Sequence, residues 1–190
     1  MKTKRGEAIV QLENVSMKRK GEFLSASLAS KRFHGKWISA PSNETEFADY
    51  LKRARRKTSK SFFLCRISDK KLVGVINISQ IVRGFFQSAF LGYYIFKPFA
   101  KNGYMTEGLS LALSEAFSEL GLHRLEANIQ PTNLPSRKMV KRLGFRLEGY
   151  SPGYLKVNEK WRDHERWAIT FENWKNRNGI PRTTKQNRIH

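Results

Sequence analysis

Between Leu91 and Phe145 the chain has few ways to fold. Leu91-Gly92-Tyr93-Tyr94-Ile95 reads as a strand, Lys101-Asn102-Gly103-Tyr104 as a glycine-bearing turn, and Gly103 to Leu120 as a helix stopped by Gly121. That helix carries Leu109, Leu111, Ala112, Leu113, Ala116, Phe117 and Leu120. His123 to Gln130 returns as a strand, with Leu125, Ala127 and Ile129 on one face and Arg124, Glu126 and Asn128 on the other. Asn133 to Leu143 is a further helix, ended by Gly144. A turn from strand to helix aims free backbone N–H groups and the positive helix end at one point, where a phosphate or pyrophosphate fits. Gly103 allows close backbone approach, Lys101 adds a charge and Thr106 offers a hydroxyl. A glycine at a helix start is common, so the turn alone names no reaction.

The rest of the chain supplies a sheet and its cover. Glu7 to Leu12 reads as an edge strand, Lys18 to Arg32 as a first helix, and Glu44 to Lys57 as a second, with Phe47, Tyr50 and Leu51 inward and Ser42 or Asn43 as its cap. Ser61 to Ile67, Leu72 to Ile81 and Ser88 to Phe96 predict an antiparallel meander, and Phe145 to Tyr150 with Asp163 to Phe171 predict the last strands. A chain of 190 residues buries roughly 70% of its unfolded surface in one core. The expectation is a single domain over residues 1–174 and a mobile tail over 175–190, where five basic residues meet no acidic one.

Several classes are excluded. The charged N-terminus lacks the pattern of a secretory signal, and no apolar run approaches the roughly 18 residues of a membrane span, so a cytoplasmic protein with no membrane partner is expected. Cys65 sits in a strand and reads as a buried small hydrophobe. The four histidines are scattered without zinc spacing, so no metal is expected. The net charge of +20 lies at the two ends of the chain. Residues 1–60 hold 15 basic and 6 acidic side chains (+9), residues 61–130 hold 7 and 5 (+2), and residues 131–190 hold 14 and 5 (+9). Such flanks favour polyanionic surfaces, with ribosome or ribosomal RNA contact as one reading and solvated helix faces as the other.

Taken in order, Gly92-Tyr93-Tyr94-Ile95, Gly103-Tyr104-Met105-Thr106-Glu107, Leu122-His123-Arg124-Leu125-Glu126-Ala127, Asn133-x-x-Ser136 and Leu143-Gly144-Phe145-x-x-Glu148-Gly149 resemble the GNAT superfamily of acetyl-CoA-dependent N-acetyltransferases. Leu122-His123-Arg124, Tyr154-Leu155 and Lys160-Trp161-Arg162-Asp163-His164 resemble the ribosomal-protein-alanine acetyltransferases of the RimJ and RimL type, the RimJ branch especially. The resemblance implies an α+β, three-layer fold: a twisted, mixed, mostly antiparallel sheet of about seven strands with helices on both faces, splayed between strands 4 and 5. It further implies acetyl-CoA as co-substrate, with the amides around Ile95 facing the acetyl carbonyl. Lys101, Asn102, Gly103, Tyr104, Met105 and Thr106 would lie at the pyrophosphate, Asn133 at the pantetheine arm, and Ser136 as the acid that protonates the leaving thiolate.

The chain departs from the family pattern at Ala100 and Met105 in the phosphate loop, at Val140, where related enzymes place an acidic tyrosine, and at Gly153, where the RimL type has a glutamate. Glu126 is the candidate base, and Trp37, Pro41, Tyr150, Tyr154 and Trp161 are candidates for the acceptor groove. His164 and Asp163 belong to the RimJ-like signature and are expected to hold a strand start by hydrogen bonds. The expected acceptor is the N-terminal α-amine of a ribosomal protein. A small-molecule amine, or an inactive ribosome- or RNA-binding protein on the same scaffold, are the alternatives, and a monomer or a homodimer would serve any of them.

Overall fold

A computed structural model describes residues 8–35 and 37–177. Seven strands, β1 (Val10–Asn14), β2 (Ser59–Arg66), β3 (Leu72–Val82), β4 (Ser88–Ile95), β5 (Arg124–Ile129), β6 (Arg146–Val157) and β7 (Lys160–Thr170), form one sheet in the order β1-β2-β3-β4-β5-β7-β6. All neighbours are antiparallel except β4 and β5, which run parallel. A parallel pair needs a long crossover, supplied here by helix α3 (Tyr104–Ser114) and the π-helical turn Glu115–Glu119. The expected mixed, mostly antiparallel sheet of about seven strands with helices on both faces is the one observed.

Alternation along β2 and β3 divides the core in two. On one face Phe63, Cys65 and Val75 pack with Phe23 of α1 (Lys20–His34) and with Phe47, Tyr50 and Leu51 of α2 (Glu44–Ala54). Phe23 is central, with ring centroids 4.7 Å from Phe47 and 5.9 Å from Phe63. On the other face Phe62, Leu64, Ile76 and Ile78 meet Leu109 and Leu113 of α3 and Val140 of α4 (Leu134–Leu143). Burial pushes the Cys65 thiol up to about 12, so it is the packed hydrophobe expected. Glu107 closes the structure by accepting from the Ile9 and Val10 amides at 2.8 and 3.2 Å, which pins β1 to α3.

Two elements exceed the expectation. β6 runs to Val157 and β7 starts at Lys160, forming a long, largely exposed hairpin. The last described residues fold as α5 (Phe171–Arg177), three residues into the segment expected as a tail, because Trp174 packs on Phe117 (5.3 Å) and Phe171 (6.0 Å) and Lys175 is buried beside it. Residues 178–190 lie outside the described residues.

Candidate active site

β4 and β5 pair only from Ser88–Arg124 to Phe90–Glu126, although β4 continues to Ile95 and β5 to Ile129. Beyond Phe90 the strands diverge. The Phe96 amide bonds the Val73 carbonyl, so by strand alternation the backbone groups of Ile95 and Tyr93 point away from β3 and into this gap. The Phe171 amide bonds the His123 carbonyl on the β7 side, so those of Asn128 face the gap from β5. An extended ligand finds strand-like partners on both walls. The Ile95 carbonyl is already held by His34 Nε2 at 2.8 Å, leaving its amide as the free group.

A cavity of about 110 Å³ occupies the divergence, lined by Tyr93, Asn128, Asn133, Ser136, His164 and Trp37 among others. Ser136 is placed by the Asn133 side chain, which caps α4 by accepting from the Ser136 amide at 3.4 Å. Its Oγ lies 2.5 Å from the Tyr93 hydroxyl. Burial pushes Tyr93 up to about 12, outweighing the bond to Ser136, so the phenol is neutral and holds its proton. Asn128 Oδ1 is buried with no protein partner among the described residues, an acceptor that a bound ligand can satisfy.

His164, 3% exposed, reaches the cavity from β7. Its Nδ1 lies 2.9 Å from the Arg162 carbonyl. A carbonyl only accepts, so Nδ1 carries the hydrogen and Nε2 is left as a lone pair. Burial lowers its pKa below the ordinary value, outweighing the Arg162 carbonyl and the Asp163 charge. The imidazole is therefore a neutral base. The sequence predicts for His164 only a bond at the strand start, since no periodicity reveals that β7 brings it to the same cavity as Ser136.

Glu126, the candidate base, is placed elsewhere. It stands on β5 where pairing with β4 ends, 2.9 Å from Arg124 Nε, and it is not among the cavity's lining residues. Arg124 also holds Glu148 with its other nitrogens. This triad ties β5 to β6 and leaves the carboxylate engaged.

The turn that leads into α3, the candidate phosphate loop, is shaped by left-handed backbone. Lys101 and Gly103 adopt left-handed conformations (φ 66° and 81°), and α3 begins with no side-chain cap, which leaves its first amides for an anion. The Asn102 side chain donates to the Ala100 carbonyl at 3.0 Å, so the amide group is spent on shaping the turn. Tyr104 turns its hydroxyl to Arg66 (3.3 Å), whose guanidinium lies over the rings of Phe99 and Tyr104. Met105 sends its side chain into the core, 7% exposed, over Gly74, so its departure from the family pattern costs the loop no amide. Val140 is likewise core. Gly153 has φ 53° and donates to Asp163, a conformation that disfavours the glutamate of the RimL type.

The acceptor-groove candidates separate. Trp37 lines the cavity, and the Tyr154 ring lies 6.2 Å from that of His164. Pro41 lines a second hollow of about 600 Å³ between α1 and α2, which shares Ile38 with the first. Tyr150 and Trp161 are exposed on the hairpin and line neither hollow, and the Tyr150 hydroxyl donates to Asp163.

A parallel strand pair that splays beside a helix with no side-chain cap is the arrangement that the resemblance to the GNAT superfamily implies. The sequence profile of the Acetyltransferase (GNAT) domain matches residues 19–146, and the chain belongs to that family. It is 38% identical over 121 residues to the probable N-acetyltransferase YjcK of Bacillus subtilis, covering 64% of this chain and 67% of that protein. It is 39% identical over 106 residues to the ribosomal protein uS5-alanine N-acetyltransferase of Escherichia coli, spanning 56% of this chain and only 55% of that relative. Among solved structures, Mycobacterium smegmatis RimJ in complex with CoA-disulfide superposes with a TM-score of 0.79 at 28% identity, over 92% of this chain and 85% of that one. Among the described residues no helix is long and apolar enough to cross a membrane, and no group of three or more His, Cys, Asp or Glu is placed to hold a metal.

Proposed function

We propose that this chain transfers the acetyl group of acetyl-CoA to the N-terminal α-amine of a protein, with a ribosomal protein as the acceptor. The observation that carries the reading is the convergence of Ser136, Tyr93 and His164 on one cavity in the β4–β5 divergence. Acetyl-CoA suits the residues present: the gap offers backbone groups, Asn128 Oδ1 lacks a protein partner, and the α3 amides await an anion. When bound it supplies the acetyl thioester.

The side chains divide the proton work. His164 Nε2 takes a proton from the acceptor amine. The Ile95 amide faces the position where negative charge develops on the carbonyl oxygen. Ser136 Oγ, backed by the Tyr93 hydroxyl, holds the proton for the departing sulfur, and this pair stands in for the tyrosine absent at Val140. A buried histidine is a weak base, and an α-amine needs little help: with a pKa of about 7.7 to 8.0, about a fifth is neutral near pH ~7.3. A lysine, near 10.4, is neutral in only about one molecule in a thousand. The named E. coli relative and the basic flanks favour a ribosomal acceptor, whereas a +20 surface repels polycationic amines.

The test is acetyl transfer from labelled acetyl-CoA to peptides copying ribosomal-protein N-termini, beside peptides with a blocked N-terminus and an internal lysine. Modification of the free α-amine alone is expected. Preference for the lysine, or for small amines, would overturn the acceptor, and failure of acetyl-CoA to bind in calorimetry would overturn the enzyme reading.

A further inference from the structure

The end of the sheet opposite the acetyl-CoA gap carries a second surface. Between β3 and β4 the turn Arg83-Gly84-Phe85-Phe86-Gln87 holds Phe85 fully exposed and Phe86 at 73% exposure. Two large rings in water at a single turn are costly and point to a partner. The turn is held in place, because the Gln87 carbonyl accepts from the His123 and Arg124 amides (2.7 and 3.2 Å) and Arg83 donates to the Leu120 carbonyl. Beside it runs the connection from α2 to β2. The Ile81 amide bonds the Thr58 carbonyl at 2.9 Å, so Lys52, Arg53, Arg55, Arg56 and Lys57, all exposed, lie along the same end of the sheet. Residues 50–68 and 70–106 contain no Asp or Glu. The acids of neighbouring elements are partly occupied, Glu115 by Lys60 (3.7 Å) and Glu172 by His123 (3.1 Å), with Glu119 next in chain.

We infer that this surface binds single-stranded RNA, with Phe85 and Phe86 as stacking platforms for unpaired bases and the arginine-rich α2–β2 turn on the phosphates. The chemistry selects the partner. Among these five residues arginines outnumber lysines, and a planar guanidinium pairs with phosphate in bidentate fashion and stacks on bases. Two adjacent rings match the aromatic platforms of single-strand binding sites, whereas a duplex hides its base faces and offers only backbone. This locates the polyanion contact suggested by the net charge, and it does not depend on acetyl transfer.

The test is fluorescence anisotropy of the full chain with a labelled unstructured oligouridine and with a duplex RNA of equal length, across a salt series. Wild type should favour the single strand. Phe85→Ala/Phe86→Ala should weaken it about tenfold or more with the salt slope unchanged, as expected for lost stacking. Arg55→Ser/Arg56→Ser should make the slope of log K against log salt shallower by about 1.4, from roughly 0.7 per phosphate contact. Thermal melting verifies that each variant is folded. Equal affinity of the folded phenylalanine variant, equal affinity for the duplex, or binding to anionic vesicles in preference to RNA would each overturn the proposal.

Discussion

At the scale of single residues, the site depends on which groups keep a proton. Ser136→Ala should lower turnover about 10² to 10⁴-fold, the range of a general acid, with acetyl-CoA affinity retained in calorimetry. Tyr93→Phe keeps the ring and removes the hydroxyl behind Ser136, so a smaller loss, about tenfold, is expected in kcat. His164→Gln should cost about 10²-fold and also change the pH profile. Because burial lowers the histidine's pKa, it loses its lone pair only below the ordinary value near 6.5, and wild-type turnover should fall on that acid side. The variant should show no such limb between pH ~7 and ~5, whereas an unchanged limb would assign it to another group. Glu126→Gln, which removes the negative charge facing Arg124, should act chiefly on stability, read in urea unfolding. Ser136 and the candidate phosphate loop were named from motifs at short, fixed offsets through the family resemblance, and Glu126 from its place on the polar face of β5 beside the predicted splay. Tyr93, Asn128 and His164 come together only through pairing of β4, β5 and β7 across the sheet, and no local spacing encodes that.

At the scale of elements, β4 must leave β5 while staying bonded to β3, and Gly74 shows how closely this is packed. A Cβ there would lie 2.7 Å from the Tyr94 carbonyl oxygen and 3.0 Å from Met105 Cε. The backbone contact cannot relax by rotating a side chain, so Gly74→Ala should destabilise by about 1 to 3 kcal/mol, measured as a lowered urea midpoint. It should also weaken acetyl-CoA binding, since the same shift moves the strand that presents the Ile95 amide and the first turn of α3. Intact affinity at a lowered midpoint would separate packing from the site. Meander strands were legible from their apolar runs and short polar turns, and α3 from its periodicity between Gly103 and Gly121. β6 was expected to end at Tyr150, whereas the structure carries the strand to Val157 and absorbs Pro152 and Gly153 in an irregular stretch between Ser151 and Leu155. Helix α5 was hidden by its basic composition and is fixed by one tertiary anchor, Trp174.

At the scale of the whole molecule, two buried histidines from distant parts of the chain bracket the site and make its stability depend on pH. His34 on α1, 5% exposed, donates from Nε2 to the Ile95 carbonyl and leaves Nδ1 buried without a partner among the described residues. Its pKa is lowered by burial against the bond to Ile95, as that of His164 is by its own burial. A proton on either ring would add an N–H to a nitrogen that the fold leaves unpaired or facing the cavity, with the charge in a dry environment. Below the unfolded value near 6.5 the unfolded chain therefore binds more protons than the native one, and stability must fall as pH falls. Asp69 and Glu148, whose pKa values are depressed by Arg66 and Arg124, withdraw their contribution only at much lower pH. The interval between pH ~6.5 and ~5 thus isolates the histidines. Melting temperature should be level above pH ~7 and decline through that interval. His34→Gln keeps a donor for the Ile95 carbonyl and cannot be protonated, so it should flatten part of the decline, and the double variant with His164→Gln should remove most of it. A wild-type curve that stays level to pH ~5 would mean that neither ring is held neutral, and would withdraw the tautomer on which the His164 base depends.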